Sequence, residues 1–223
     1  MAISNSPRPS WRQTVVAAAT RQATAEARHA WRVRPGVAPP FNYRLEHIRA
    51  VVAIVGDLAA KLAADDEVVT AAAWLHDVSK GFAEEPGDGH GLRGAERARA
   101  ILRRTDFPRG KIEAVAGAIS AHVGLFRDGP IEPIEAAILF DADKLSKMGA
   151  VSLVHFLCSF PATSASQREP SATERAAANL ARWTDLVPRI VQGLCTEPAR
   201  QMGLQRLALQ RAFVEQLRAE GAA

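Results

Sequence analysis

Residues that can bind a metal ion are spread along the chain, and four histidines among them fall at the ends or on the inner faces of predicted helices. The candidates are His47, His76, Asp77, His90, His122, Asp141 and Asp143. Imidazole nitrogen combined with carboxylate oxygen is a ligand set for a divalent transition metal such as Mn, Fe, Co, Ni or Zn. A zinc site built from thiolates and a calcium loop built only from oxygen ligands would each need a different set of residues. The side chains therefore predict a divalent transition-metal centre.

The adjacent pair His76 and Asp77 stands in the sequence WLHDVSK, at the end of an alanine-rich apolar run. Neighbouring residues of a helix point about 100° apart, so such a pair gains little on a single helix face. Two adjacent ligands are useful if they meet an ion from the end of a helix. An ordinary helix C-terminal turn is the alternative interpretation.

Two aspartates occur close together in the sequence DADKL. Positions two apart on a helix differ by about 200°, so Asp141 and Asp143 cannot both face one ion. The apolar residues Ile138, Leu139 and Leu145 indicate a buried helix but leave its rotational phase open. The spacing alone does not choose between the two carboxylates.

Composition limits the classes of protein that the chain can represent. With 223 residues, 48% hydrophobic and 6% aromatic, it predicts one helical domain with a substantial core. No apolar run approaches the roughly 20 residues of a membrane span, and we expect no secretory signal and a cytoplasmic location. Cys158 and Cys195 share no metal-ligand spacing.

The net charge of +4 suits an anionic substrate such as a nucleotide, and a solvated surface explains it equally well. Because basic and aromatic residues do not alternate along the chain, we expect no nucleic-acid partner.

Helical periodicity extends over almost the whole chain, so the predicted fold class is all-α. We divide the chain into an N-terminal helix with a proline-rich linker (1–40), a core (41–160) and C-terminal helices packed on it (161–223). The segment FAEEPGDGHG is predicted to be a loop, and PATSASQREPSAT a polar connection. The predicted helices cover about residues 11–31, 43–62, 67–75, 92–104, 109–122, 132–147, 174–194 and 198–220.

The order of a histidine, a His-Asp pair and a distant aspartate resembles the HD-domain superfamily of metal-dependent phosphohydrolases. A closer similarity is to a bacterial branch of small HD hydrolases, carried by the segments GAERARAIL, AISAH and DADKLSKMGA. It covers about residues 42–160, with a weaker similarity to 220. The resemblance implies an HD helical bundle with extra terminal helices. It also implies that His47, His76, Asp77 and Asp143 are the metal ligands.

The resemblance implies further roles around those ligands. His90 and His122 would bind a second metal ion, contact the substrate phosphate or orient the ligands. Asp77 would orient the attacking water, and Lys80 would neutralise a phosphate oxygen. A helix C-terminal cation is the alternative for Lys80.

Two further residues are weaker candidates for binding substrate. Arg93 and Arg97 share a helix face at i, i+4, and solvated helix residues are the alternative for both. The chain departs from the related sequences at Ser146 and Lys147, where an acidic residue is common. That departure bears on the identity of the substrate more than on metal binding.

The function implied by the resemblance is metal-dependent hydrolysis of a small phosphorylated metabolite, with a nucleotide as the expected substrate. A di-iron oxygenase that uses the six-ligand set and a non-catalytic nucleotide sensor are the alternatives. The first 40 residues have no counterpart in the family. These residues could form a lid, a homodimer contact or an additional part of the core.

Overall fold

A computed structural model of the chain describes residues 8–34, 36–80, 89–127, 129–163 and 172–221. Within these ranges it contains nine α-helices, one short 3₁₀ helix and no strand, so the all-α prediction is confirmed. None of the helices in the described ranges combines the length and hydropathy of a membrane span. The helices are α1 (Trp11–Ala30), α2 (Tyr43–Leu62), α3 (Asp66–Leu75), α4 (His90–Leu102), the 3₁₀ helix (Arg109–Lys111), α5 (Ile112–Ala121), α6 (Ile134–Leu145), α7 (Ala150–Thr163), α8 (Ala172–Gln192) and α9 (Glu197–Ala219).

Most helix ends lie within two residues of their predicted positions, and the polar connection is the main correction. The hydrophobic stretch before it forms α7, which extends through residues 161–163, and α8 already includes residues 172 and 173. The prediction for 164–171 and most of the predicted loop before His90 fall outside the described residues. The connection is therefore shorter at both ends than its polar composition predicted.

Side-chain caps and a left-handed residue fix the turn between α2 and α3. The Asn42 side chain accepts a hydrogen bond from the Leu45 N–H at the start of α2, and the Asp65 carboxylate accepts from Glu67 and Val68 at the start of α3. Ala63 ends α2 with φ 50°. Because caps of this kind satisfy backbone N–H groups that the helix leaves unpaired, they determine where α2 and α3 begin.

The central helices α2, α3, α5 and α6 pack around a continuous apolar core. Alanines 71–73 of α3 are fully buried, and their small side chains let neighbouring helices approach closely. Helix α6 is buried at every position from Ala136 to Leu145, as expected for a helix surrounded by others. Charged residues of α6 therefore lie inside the protein.

Helix α4 approaches α3 and α5 closely because two of its residues are glycines. A Cβ atom on Gly94 would lie 3.2 Å from the carbonyl oxygen of His76, and one on Gly91 would lie 2.5 Å from a Val123 methyl group. Both positions therefore exclude larger residues. The close approach brings the start of α4, at His90, over the ends of α3 and α5.

Asp141 joins α6 to the start of α9. Its carboxylate accepts hydrogen bonds from the Cys195 N–H at 2.7 Å, and from the Thr196 N–H and hydroxyl at 2.8 Å each. Asp141 is fully buried, and burial raises the pKa of its carboxyl group. This aspartate has a structural role, because it binds the turn that precedes α9.

Replacing Asp141 by alanine is expected to lower the free energy of unfolding by about 3 kcal/mol, because two backbone N–H groups lose their acceptor. Metal content is expected to stay unchanged, since the carboxylate points away from Asp143. Denaturant unfolding and elemental analysis provide the measurements, with the exposed Asp57→Ala as a control. Loss of bound metal in Asp141→Ala without destabilisation would contradict this assignment.

Candidate metal centre

The ends of three core helices, α2, α3 and α6, bring His47, His76, Asp77 and Asp143 together. His47 lies in the second turn of α2, His76 caps the C-terminus of α3, Asp77 follows in the next turn, and Asp143 lies in the last turn of α6. All four residues are at most 4% exposed. Predicted ligands that are up to 96 residues apart in sequence thus share one buried site.

The imidazole and carboxylate atoms of this cluster lie close enough to share one ion. The Nε2 atoms of His47 and His76 are 3.2 Å apart. The Oδ1 atom of Asp143 is 3.2 Å from Nε2 of His47 and 3.9 Å from Nε2 of His76. The Oδ2 atom of Asp77 is 3.6 Å and 3.4 Å from the same two nitrogens. The ligand atoms of His47, His76 and Asp143 thus all lie within 4.8 Å of one another, and an oxygen of Asp77 lies beside the two nitrogens.

Hydrogen bonds at the far side of each ring determine which nitrogen carries the proton. Nδ1 of His76 donates to the carbonyl oxygen of Ala73 at 2.8 Å. The Ser146 hydroxyl donates to the carbonyl oxygen of Asp143 at 2.7 Å, so it accepts from Nδ1 of His47 at 3.0 Å. Both rings thus present an unprotonated Nε2 to the cluster. An Nδ1–H···O bond of this kind is the usual way in which a metal-binding imidazole is oriented.

The two Nε2 atoms are therefore both hydrogen-bond acceptors, and no proton lies between them. Burial lowers the pKa of His47 to about 4, although Asp143 opposes this effect, so the ring is neutral near pH 7. Two lone pairs that face each other at 3.2 Å beside two carboxylates repel one another unless a cation lies among them. The C-terminal end of α3 adds negative potential. A divalent transition metal fits this arrangement, and nitrogen with carboxylate oxygen is its preferred donor set.

A second triad of possible ligands consists of His76, Asp77 and His122, and it shares His76 with the triad of His47, His76 and Asp143. His122 caps the C-terminus of α5 and donates from Nδ1 to the carbonyl oxygen of Ile119 at 2.5 Å. Its Nε2 lies 3.8 Å from Oδ1 of Asp77, and burial lowers its pKa. The ring of His90 lies beside it, with centroids 5.4 Å apart. The two oxygens of Asp77 thus face two different groups of histidines.

Basic side chains surround the two carboxylates, and sequence analysis identified only some of them. Lys147 bonds both oxygens of Asp143 at 2.7 and 2.8 Å, and Lys144 bonds Oδ2 of Asp143 at 2.8 Å. Burial alone would raise the pKa of Asp143, but these lysines hold it well below its usual range. The charged form of this ligand is therefore favoured.

Arg44 connects Asp77 to the N-terminal helix. Its guanidinium group donates to Oδ2 of Asp77 on one side and to both oxygens of Glu26, in α1, at 2.9 and 3.0 Å on the other. Burial acts to raise the pKa of Asp77, but His76 and Arg44 outweigh it and hold the pKa well below its usual range. Lys80 lies further away, with Nζ 4.0 Å from Oδ1 of Asp77.

Sequence analysis missed Arg44, Glu26 and Lys144. The available signals were weak, because Arg44 only precedes His47 by one helical turn and Lys144 only follows Asp143. It identified Ser146 and Lys147 as departures from related sequences, and the structure places them in contact with His47 and Asp143 respectively. The two positions thus orient one ligand and add positive charge beside another.

The weaker candidates Arg93 and Arg97 lie on the exposed side of α4. The carbonyl oxygen of Arg93 accepts a hydrogen bond from the Ser79 hydroxyl at 3.2 Å, so its backbone lies beside the turn that contains Asp77. Neither arginine side chain belongs to the cluster of ligand atoms. A role in binding substrate stays a prediction for both.

Comparison with known proteins agrees with this geometry. Residues 44–148, which include all four ligands, match the HD domain family. Ribonuclease Y of Acidothermus cellulolyticus is 35% identical over 104 residues, which make up 46% of this chain and 18% of that protein. The chain therefore corresponds to a small part of that longer relative.

Solved structures share the fold over most of the chain. An HD-superfamily hydrolase of Bacillus thuringiensis is 18% identical, with 96% of this chain and 100% of that chain covered and a TM-score of 0.62. Bacillus subtilis YpgQ in complex with ADP is 19% identical, with 89% and 97% covered and a TM-score of 0.58. At such identities the similarity establishes the fold alone. The chain therefore shares its all-α fold with these structures, and its residues 44–148 are similar to the HD domain family.

Proposed function

We propose that this chain is a divalent-metal-dependent phosphohydrolase that acts on a small phosphorylated molecule. The observation that carries the proposal is the convergence of unprotonated Nε2 atoms from His47 and His76 with the carboxylates of Asp77 and Asp143. Such a site binds a metal ion and leaves coordination positions for other ligands. The match to the HD domain family supports the same conclusion.

The ion, when bound, supplies a Lewis acid for a phosphoryl oxygen and lowers the pKa of a coordinated water. The protein side chains position the reactants and balance charge around it. Asp77 stays ionised because its pKa is held low, so it can accept a hydrogen bond from the attacking water and orient it. Lys80 lies near the open side of Asp77 and can offset charge on the phosphate in the transition state.

The charges around the cluster favour an anionic substrate. Arg44, Lys80, Lys144 and Lys147 carry four positive charges, whereas Glu26, Asp77 and Asp143 carry three negative ones. A divalent ion would raise the local excess from one to three positive charges. A phosphate group with charge near −2 therefore reduces the imbalance.

We further propose a nucleotide as the substrate. The net charge of the chain supports it, as does the ADP complex of the Bacillus subtilis protein that shares the fold. The relative named Ribonuclease Y makes a short RNA a necessary member of the substrate screen. Hydrolysis of RNA in preference to mononucleotides would replace this part of the proposal.

Removal of a ligand is expected to abolish metal binding and activity together. His76→Ala and Asp77→Ala should bind less metal and lose hydrolytic activity by on the order of 100-fold or more, whereas the exposed His29→Ala should behave as wild type. Circular dichroism checks that the helices persist, and elemental analysis measures the metal. Full activity of either ligand variant after chelation would refute the metal-dependent mechanism.

His122 distinguishes one bound ion from two. If His122 and His90 hold a second ion against Oδ1 of Asp77, His122→Ala should reduce the metal content from two ions to one per chain. If they contact the phosphate instead, the content should stay at one while KM rises. Two irons per chain together with oxygen consumption would favour the di-iron oxygenase over the hydrolase.

Lys80→Ala is expected to lower kcat/KM for phosphate esters by about tenfold to a hundredfold, because one cation is lost near the phosphate. Metal content should not change, since the Lys80 amine lies 4.0 Å from the ligand carboxylate and is not itself a ligand. Lys61→Ala, in the last turn of α2, is the matched control. Equal kinetics for wild type and Lys80→Ala would show that Lys80 only stabilises the helix end.

A further inference from the structure

A cavity of about 550 Å³ lies against one side of the ligand cluster. Its volume is within the usual range for sites that bind small molecules, about 300–1,000 Å³. Three of its lining residues also contact the cluster. Arg44 bonds Asp77 and Lys147 bonds Asp143, and the ring of Tyr43 stacks parallel to His47 with centroids 6.1 Å apart. The cavity therefore borders the ligand cluster at these three residues.

Four aromatic residues outside the segment that matches the HD domain family contribute to the remaining wall. Trp31 and Phe41 line the cavity before residue 44, and Phe156 and Trp183 line it from α7 and α8. The residues that precede and follow the matched segment thus meet at one place. This arrangement gives the extra helices a location beside the site, which the sequence did not reveal.

The two tryptophans present ring surface rather than hydrogen-bond donors to the cavity. The indole N–H of Trp31 donates to the carbonyl oxygen of Phe41 at 2.8 Å, and that of Trp183 donates to the carbonyl oxygen of Lys147 at 2.9 Å. These bonds also hold the rings in place. A wall of fixed aromatic faces favours flat ring systems, because offset stacking and edge contacts add to the burial of apolar surface.

We propose that this cavity binds the organic group of the substrate and selects a planar aromatic ring joined to the phosphate. The inference rests on the proposed phosphohydrolase function and adds the part of the protein that binds the organic group. Arg44, Lys147 and Glu26 form the charged end of the cavity; Arg44 and Lys147 connect this end to the proposed ligands Asp77 and Asp143. The aromatic walls, by contrast, offer little to recognise a sugar alone.

The planar ring of such a substrate can be a nucleobase or another aryl group. A nucleotide would place its base among the aromatic walls, and an aryl phosphate would place its ring there directly. Both differ from a sugar phosphate, which has the same charged group but no ring to stack. A comparison of AMP, 1-naphthyl phosphate and ribose 5-phosphate therefore separates recognition of the ring from recognition of the phosphate.

Filling the cavity tests the proposal without altering a metal ligand. Ser152 of α7 lines the cavity, whereas its neighbour Val151 is 56% exposed. Ser152→Phe should raise KM for AMP or 1-naphthyl phosphate at least tenfold and leave ribose 5-phosphate within about twofold. Val151→Phe, which adds the same ring outside the cavity, should leave all three substrates unchanged.

Titration calorimetry measures the binding of 1-naphthyl phosphate to protein from which a chelator has removed the metal. This measurement distinguishes failure of the cavity assignment from failure of the proposed function. If no phosphate ester is hydrolysed but the ligand binds to wild type and not to Ser152→Phe, the phosphohydrolase proposal fails and the cavity assignment stands. If ribose 5-phosphate is hydrolysed as well as the aromatic esters, or if Ser152→Phe affects all three substrates equally, the cavity assignment is overturned. A higher kcat/KM for AMP than for 1-naphthyl phosphate identifies the ring as a nucleobase.

Discussion

The repulsion between unprotonated acceptor atoms in a buried site is the constraint on which the rest of this structure depends. His47 and His76 direct Nε2 lone pairs at each other across 3.2 Å, with the carboxylates of Asp77 and Asp143 beside them. Burying such atoms without a partner is unfavourable. A cation bound among these atoms would reverse the sign of the interaction, which is the physical basis of the proposed metal site.

The fold imposes this arrangement through helix ends rather than through one continuous face. His76 and His122 each cap a helix and donate from Nδ1 to a carbonyl oxygen of the preceding turn. That short-range bond fixes both the ring orientation and the proton position, so Nε2 must point out of the helix end. The glycines of α4 then let a third helix start close to these two ends. Backbone geometry thus determines the protonation pattern that metal binding requires.

The sequence was sufficient to predict most of the helices and to select four candidate ligands that the structure brings together, since helical periodicity is a local signal and the order of the candidates resembles a known family. It could not choose between Asp141 and Asp143 from spacing, because the apolar pattern of α6 is buried on all sides and therefore has no phase. The structure turns Asp143 to His47 and Asp141 to the start of α9. The contact between Arg44 and Glu26 depends on how α1 packs on α2, which no local pattern encodes.

The ion pairs and hydrogen bonds around the proposed ligands connect the site to helices outside residues 44–148. Glu26 of α1 binds Arg44, and Arg44 binds the ligand Asp77, so α1 constrains a carboxylate of the cluster through one intervening side chain. Lys147 bonds Asp143 through its amine, and its carbonyl oxygen accepts from Trp183 of α8. The same two basic residues therefore connect the metal ligands to the flanking helices and line the cavity between them. Arg44 is buried and Lys147 is half-buried. A movement of α1 or α8 would therefore change the positions of these two charges beside the proposed ligands, as well as the shape of the cavity.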